Sequence, residues 1–270
     1  MIRILFLAIA LIAAMPFAST PVRAGEFDNI VRAELRPGWR RADGTHIAAL
    51  HLTLAPGWKT YWRAPGDAGI PPEFGWRGSR NLAGVSIIWP RPDVFDQAGM
   101  RAIGYTDELV LPLAIRPERN GDVLLEGDMQ LGICKDVCLP HALSFSGRLD
   151  AGMTERDPRI AAALSDRPFS ASEVGGASVH CDIAPGNNGA LRLTAKIDMA
   201  SAGNSEEVVV ETGNPFLWVA EPESRRDGGT LIASTEIVHM ERKPFALDRG
   251  SLTFTVLGTR QAVELSGCTR

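Results

Sequence analysis

Four cysteines, Cys134, Cys138, Cys181 and Cys268, carry the most direct chemistry in this 270-residue chain. Four cysteines allow three pairings. Their spacing favours Cys134 with Cys138 and Cys181 with Cys268. In a straight strand, residues four apart lie about 13 Å apart, whereas a disulfide needs its Cα atoms within about 7 Å. Lys135, Asp136 and Val137 must therefore form a bend if the first pair is bonded. Loop-closure entropy gives roughly 2 kcal/mol for the short loop and roughly 4.6 kcal/mol for the long one. The difference is on the order of 50 mV for a two-electron couple. The short pair is thus the candidate for redox cycling and the long pair for a structural tie. Spacing alone also allows Cys134–Cys138 to be a static staple.

Two thiolates and a histidine also suit Cu(I). His141 stands three residues past Cys138, so Cys134, Cys138 and His141 form an alternative copper set. Met129 has the parity of the face opposite Cys134. On the main reading no metal site and no cofactor are assigned. His51 falls on the polar side of a strand, His180 adjoins Cys181, and His239-Met240 fits a strand edge. No serine sits in a G-x-S-x-G elbow and no H-E-x-x-H occurs, so hydrolase chemistry has no support. Lys135 and Asp136 cancel as local charges, and no depressed thiol pKa follows from the sequence.

The compartment decides which of these chemistries is open. Arg3 precedes the 12-residue apolar run from Ile4 to Met15, too short for a membrane span of about 20 residues. Val22-Arg23-Ala24 follows as a cleavage site. Residues 1–24 are therefore expected to be a signal peptide, with Gly25 starting an exported, periplasmic protein. Export places the cysteines in an oxidising compartment. The chain has 28 basic and 32 acidic residues, and loss of Arg3 and Arg23 leaves 26 against 32. No run of basic charge forms a phosphate-binding surface, so nucleic acid is not an expected partner.

The elements that must hold the cysteines read as short strands. Leu50, Leu52 and Leu54 alternate with Ala49, His51 and Thr53, giving a half-buried strand. Val85, Ile87 and Trp89 alternate before Pro90. Leu109 to Ile115 is a strand that Pro112 marks as an edge. Val123, Leu125, Met129, Leu131 and Ile133 share one parity and lead into Cys134, and Leu143, Phe145 and Leu149 share one parity after Pro140. Asp157 as N-cap and Pro158 at the first helical position predict one short helix. A linker, 165–174, follows. Residues 175–270 restart as six or seven short strands, the spacing of a sandwich. The expected architecture is all-β: a first domain over 25–164, the linker, and a second β-sandwich over 175–270.

Four ordered stretches carry a family resemblance: Pro56 to Gly69, Trp89-Pro90 through Phe95-Asp96-Gln97-Ala98-Gly99, Ile103 to Leu113, and Gly132 to Pro140. Spanning roughly residues 28 to 150, they resemble the periplasmic N-terminal region of DsbD-type thiol:disulfide interchange proteins, most of all the copper-sensitivity-suppressor (ScsB) branch. The resemblance implies an immunoglobulin-like sandwich, hence two such domains if the second half follows, and a redox role for Cys134 and Cys138. It implies that Cys138 forms the mixed disulfide and Cys134 resolves it. It places Tyr61 beside the cysteines, and Phe95 to Gly99 in a loop that shields the pair. The implied partners are a membrane electron-transfer protein, here necessarily a separate chain, and a periplasmic thioredoxin-like protein. The expected function is a thiol–disulfide relay, a protein-disulfide reductase type of activity. A periplasmic Cu(I)-binding or copper-tolerance protein, and a non-catalytic binding module, are the alternatives.

Overall fold

The computed structural model describes residues 29–270. The predicted signal segment 1–24 and its cleavage site lie outside the described residues. Ten strands come first: β1 (Val31–Arg40), β2 (His46–Leu54), β3 (Lys59–Gly66), β4 (Glu73–Gly75), β5 (Gly84–Ile87), β6 (Asp93–Gln97), β7 (Met100–Thr106), β8 (Glu108–Arg116), β9 (Val123–Cys134) and β10 (Cys138–Leu149). Helix α1 (Pro158–Ser165) is followed by β11 (Phe169–Ser170), β12 (Ser178–Pro185), β13 (Leu191–Asp198), β14 (Glu207–Glu211), β15 (Leu217–Val219), β16 (Glu223–Asp227), β17 (Thr230–His239), β18 (Thr253–Leu257) and β19 (Ala262–Ser266).

Each half is a sandwich of two sheets. The first pairs the order β1-β2-β8-β5 with β10-β9-β3-β7-β6, to which β4 is added beside β9. Period-two burial builds the core between them. Leu50, Leu52, Leu111 and Leu113 come from one sheet, and Trp62, Ile103, Leu125 and Leu131 from the other. The second half pairs β11-β19-β18-β14 with β12-β13-β17-β15, β16 also pairing with β17. Phe254, Val256, Leu193 and Ile237 fill its core. The all-β, immunoglobulin-like expectation with one short helix holds. Asp157 caps that helix through the Arg159 and Ile160 amides.

Three details depart from the sequence reading. Strand β2 is buried on both faces near its start, because Ile160 of α1 packs on Trp39, Ile47 and Ala49 on the outer side. Strand β8 is interior, not an edge, with Pro112 opposite Ala49. Its carbonyl accepts from Ile88 just past the end of β5, so only the reciprocal bond, which proline cannot make, is missing. The stretch expected as linker contributes β11, paired parallel to β19.

The halves touch through named contacts. Arg63 of β3 donates to Glu211 of β14 at 2.8 and 2.9 Å and to Glu264 of β19 at 2.5 Å. Arg101 of β7 reaches Glu207 at 3.1 Å and Glu221 at 3.3 Å. Val209, Leu257 and Ala262 of the second half extend the first core. A cleft of about 580 Å³ runs along this seam, lined by Arg63, Pro65, Val210, Leu217 and Trp218 among others. Among the described residues no helix is long and apolar enough to cross a membrane.

Candidate functional site

Strands β9 and β10 form a hairpin in which Cys134 faces Cys138, and Lys135 to Val137 are its turn. This is the bend that the spacing demanded. The two sulfurs are bonded, with Cα atoms 4.2 Å apart. Cys134 is fully buried, whereas Cys138 is half-buried. The alternation along β9 explains why the pair leaves the core: Leu131 and Ile133 point inward, so Gly132 and Cys134 point to the other side of the sheet.

Strand β3 supplies the floor on that outer face. Lys59 lies opposite Cys134 and Thr60 opposite Ile133, which sets Tyr61 on the cysteine side. Tyr61 is 1% exposed, and its hydroxyl lies 3.0 Å from Cys138 Sγ and 3.4 Å from the Ala68 carbonyl. A bonded sulfur carries no hydrogen and a carbonyl only accepts, so the one phenol proton is shared between Cys138 Sγ and the Ala68 carbonyl. Two glycines make room for the ring. A Cβ on Gly69 would come within 2.7 Å of one ring edge, and a Cβ on Gly132 within 2.8 Å of the other. Burial pushes the Tyr61 phenol above its ordinary value, which keeps the donor protonated.

Hairpin β6–β7 supplies the remaining wall. Phe95 and Ala102 pack with Tyr61 and the cysteines. The Lys59 ammonium sits over the Phe95 ring, 4.8 Å from its centre. Gln97, buried at the end of β6, donates from Nε2 to the Lys135 carbonyl at 3.1 Å, and its Oε1 accepts from Lys59 Nζ at 3.4 Å. Ala98 and Gly99, both at positive φ, form the hairpin turn. Gly99 is exposed and a Cβ there would meet nothing within 4 Å. Phe95 therefore comes to the pair, while Gly99 serves the turn.

Sequence reasoning did not single out Gln97, Lys59 or Ala68 around the pair, although Gln97 lies in the stretch expected to shield it. The shared parity of Phe95 and Gln97 was the available signal for the first. His141 is not brought to the pair. It lies opposite Leu131 in the hairpin, on the other side of the sheet from the sulfurs. The Cys134, Cys138, His141 copper set is thus not assembled, and among the described residues no group of three His, Cys, Asp or Glu has metal-binding geometry. Met129 is core, as its parity predicted. Cys181 and Cys268 are bonded to each other, with Cα atoms 5.7 Å apart. That bond joins β12 to the segment after β19, where Thr269 also pairs with His180.

Comparison with known proteins finds likeness in sequence and in fold. Residues 31–147, a little under half of the chain, match the family model described as "Thiol:disulfide interchange protein DsbD, N-terminal". Fourteen chains of solved structures match the fold. One is the crystal structure of the N-terminal periplasmic domain of ScsB from Proteus mirabilis, with a TM-score of 0.65 and 22% sequence identity. The alignment covers 89% of this chain and 93% of that one. Its coverage takes in the second sandwich as well as the first. No curated protein matches the chain.

Proposed function

We propose that residues 31–147, which match the DsbD N-terminal family, exchange electrons through Cys134 and Cys138 in the periplasm. The carrying observation is the asymmetry of the pair: Cys138 is the partly buried cysteine beside the Tyr61 hydroxyl, and Cys134 is fully buried. An incoming thiolate from a dithiol protein attacks Cys138 Sγ. The S–S bond breaks, its electron pair goes to Cys134, and a mixed disulfide joins the partner to Cys138. The second thiol of the partner then attacks its own mixed-disulfide sulfur and releases Cys138. Two electrons and two protons have entered the pair, and the partner leaves as a disulfide. Delivery downstream is the same sequence reversed, with Cys138 attacking and Cys134 resolving.

The Tyr61 hydroxyl supports this assignment because a donor near Cys138 stabilises its thiolate in both directions. By resemblance, the electron source is a membrane electron-transfer protein and the recipient a periplasmic thioredoxin-like protein. Val137 on the cysteine turn and Val94 and Met100 on the neighbouring hairpin are exposed and apolar, which suits a protein partner over a small thiol. The bond between Cys181 and Cys268 fits a structural tie of the second domain, 175–270.

Two measurements test the proposal. The reduction potential of the Cys134–Cys138 pair should lie above about −300 mV, since lower values mark permanent disulfides. Cys134→Ser should accumulate a mixed disulfide between Cys138 and a thioredoxin-like protein, and Cys138→Ser should not. A pair that never opens, or no trapped species, sinks the relay.

A further inference from the structure

We infer that the second sandwich forms part of the docking surface for the exchange partner, and that the cleft between the sandwiches takes an apolar segment of that partner flanked by lysine or arginine. The inference rests on the exchange reading above. The connection from β3 to β4 joins the two places. Tyr61 reaches Cys138, and between Tyr61 and Gly66 the ladder with β7 is interrupted. Residues released from the ladder turn to the second sandwich: Arg63 binds Glu211 and Glu264, and Pro65 and Asp67 line the cleft. The chain then returns to the pair, where the Ala68 carbonyl accepts from Tyr61 and Gly69 packs on its ring, before Pro71 lines the cleft again. Hairpin β6–β7 is shared in the same way. Phe95 packs with the cysteines, while Arg101 lines the cleft and binds Glu207 and Glu221. The cleft and the cysteine site are therefore two faces of the same walls, and a protein seated on Cys138 meets both.

The exposed apolar groups follow this path. Among the described residues seven large apolar side chains are exposed, and six of them form two groups. Val94, Met100 and Val137 stand on the cysteine turn and its neighbouring hairpin; Phe216, Trp218 and Met240 stand on the second sandwich. Trp218 and Met240 line the cleft. Phe216 and Trp218 share the outward parity of β15, since Leu217 between them is core, and the Met240 amide donates to the Phe216 carbonyl at 2.9 Å. Such a patch gains free energy only when a partner covers it. Charge says which partner. Around the cleft Asp67, Glu207, Glu211, Glu221 and Glu264 stand against Arg63 and Arg101, and both arginines are already engaged. The carboxylates outnumber the guanidiniums by three, so basic residues beside an apolar segment complement the cleft. A second copy meeting it about a two-fold axis would set these carboxylates against themselves, and an anionic lipid surface would be repelled by them.

The test uses the full chain and the thioredoxin-like protein that Cys134→Ser traps, purified as its disulfide. Trp218→Ser and Met240→Ser should each slow exchange with that protein by about fivefold to tenfold, the loss expected of a side chain that anchors an interface. Reduction of the Cys134–Cys138 pair by dithiothreitol, which is too small to span the cleft, should keep its rate in both variants. Wild-type exchange should slow as salt is raised, and Asp67→Asn should weaken that dependence. In the mixed disulfide, amide hydrogen exchange over residues 215–221 should be slower than in the free chain, a readout that needs no substitution in the cleft and stands if a variant fails to fold. Unchanged rates with the protein partner, or no added amide protection, overturn the inference. An equal loss with dithiothreitol also overturns it, since the substitutions would then act on the pair itself, and exchange indifferent to salt overturns the basic character of the segment. A dimer in sedimentation that Trp218→Ser abolishes would give the cleft to a second copy instead. Failure of Cys134→Ser to trap any partner removes the relay, which is a different failure.

Discussion

The Tyr61 hydroxyl and the Cys138 sulfur lie 3.0 Å apart, and the backbone holds the ring that sets this distance. Glycines on two sides, Gly69 and Gly132, leave space only for an unsubstituted Cα against the ring edges. The donor is thus aimed before any partner arrives, and no reorganisation is needed when negative charge develops on sulfur.

Tyr61→Phe keeps the ring and removes the donor. Hydrogen bonds to charged acceptors are stronger than those to neutral ones, so the loss falls on the thiolate more than on the disulfide. Exchange through Cys138 should slow by about tenfold, corresponding to about 1.4 kcal/mol, with thermal stability nearly unchanged. Stopped-flow exchange with a dithiol protein measures it, and an equal rate in the variant would remove Tyr61 from the mechanism.

The chain has two tyrosines, Tyr61 and Tyr105. Burial raises the phenol of each, that of Tyr105 well above the ordinary value. A phenol is neutral when protonated, so a raised folded-state value means the folded protein holds its proton more tightly than the unfolded chain. Stability from these groups is complete below pH 10, where free tyrosine titrates, and is lost as pH rises through the folded-state values. Tyrosinate absorbance at pH 10 should therefore be lower in the native protein than in denaturant, where it is near half-maximal. A native half-transition at pH 10 would contradict the burial of both rings.

The hairpin and the strands around it were legible because their causes are local. Covalent reach alone required a bend between Cys134 and Cys138, and alternation marked β2, β9 and the core face ending at Ile133. The site around the sulfurs was less legible because it depends on which strands become neighbours. That Lys59 opposes Cys134 and Gln97 reaches Lys135 follows from long-range pairing, which period two does not encode. Pro112 misled for the same reason: its edge signal assumed a full ladder on both sides, whereas β5 stops where the proline begins. Phe95 was placed by resemblance and does reach the pair, while Gly99 in the same stretch serves a turn.

Gly132→Ala tests the clamp from the backbone side. A Cβ there would stand 2.8 Å from both the Tyr61 ring and Ile70 Cβ, so something must shift. Overpacking of this kind costs about 1–3 kcal/mol. Denaturant unfolding should show that loss, and exchange should slow as the hydroxyl is pushed off Cys138. A variant with native stability would mean that the ring is free to move.

Cys181 and Cys268 enclose most of the second sandwich, at a sequence separation of 87. Replacing both by serine frees that loop in the unfolded chain and should cost about 3–5 kcal/mol, while the potential of the Cys134–Cys138 pair stays the same. Calorimetry and a glutathione titration on one preparation measure both. A shift in that potential would mean the second disulfide takes part in the redox chemistry, contrary to a purely structural role.

Arg63 provides the last test, because it stands on β3 two residues beyond Tyr61 and binds the other half of the molecule. Its guanidinium joins Glu211 and Glu264, and all three side chains are half-buried. Burial opposes its charge, yet the hydrogen bonds and charges of the two glutamates outweigh that and raise its pKa. Arg63→Ala would leave the carboxylates of Glu211 and Glu264, both on the second sandwich, without their cation at a partly dry seam, a loss of about 1–3 kcal/mol for a group buried this far. The loss falls on the contact between the sandwiches, since the core of each is built from other residues. Thermal unfolding should therefore change from one transition to two, the second sandwich melting separately. A single transition merely moved to lower temperature would show that Val209, Leu257 and Ala262 hold the halves together without the arginine.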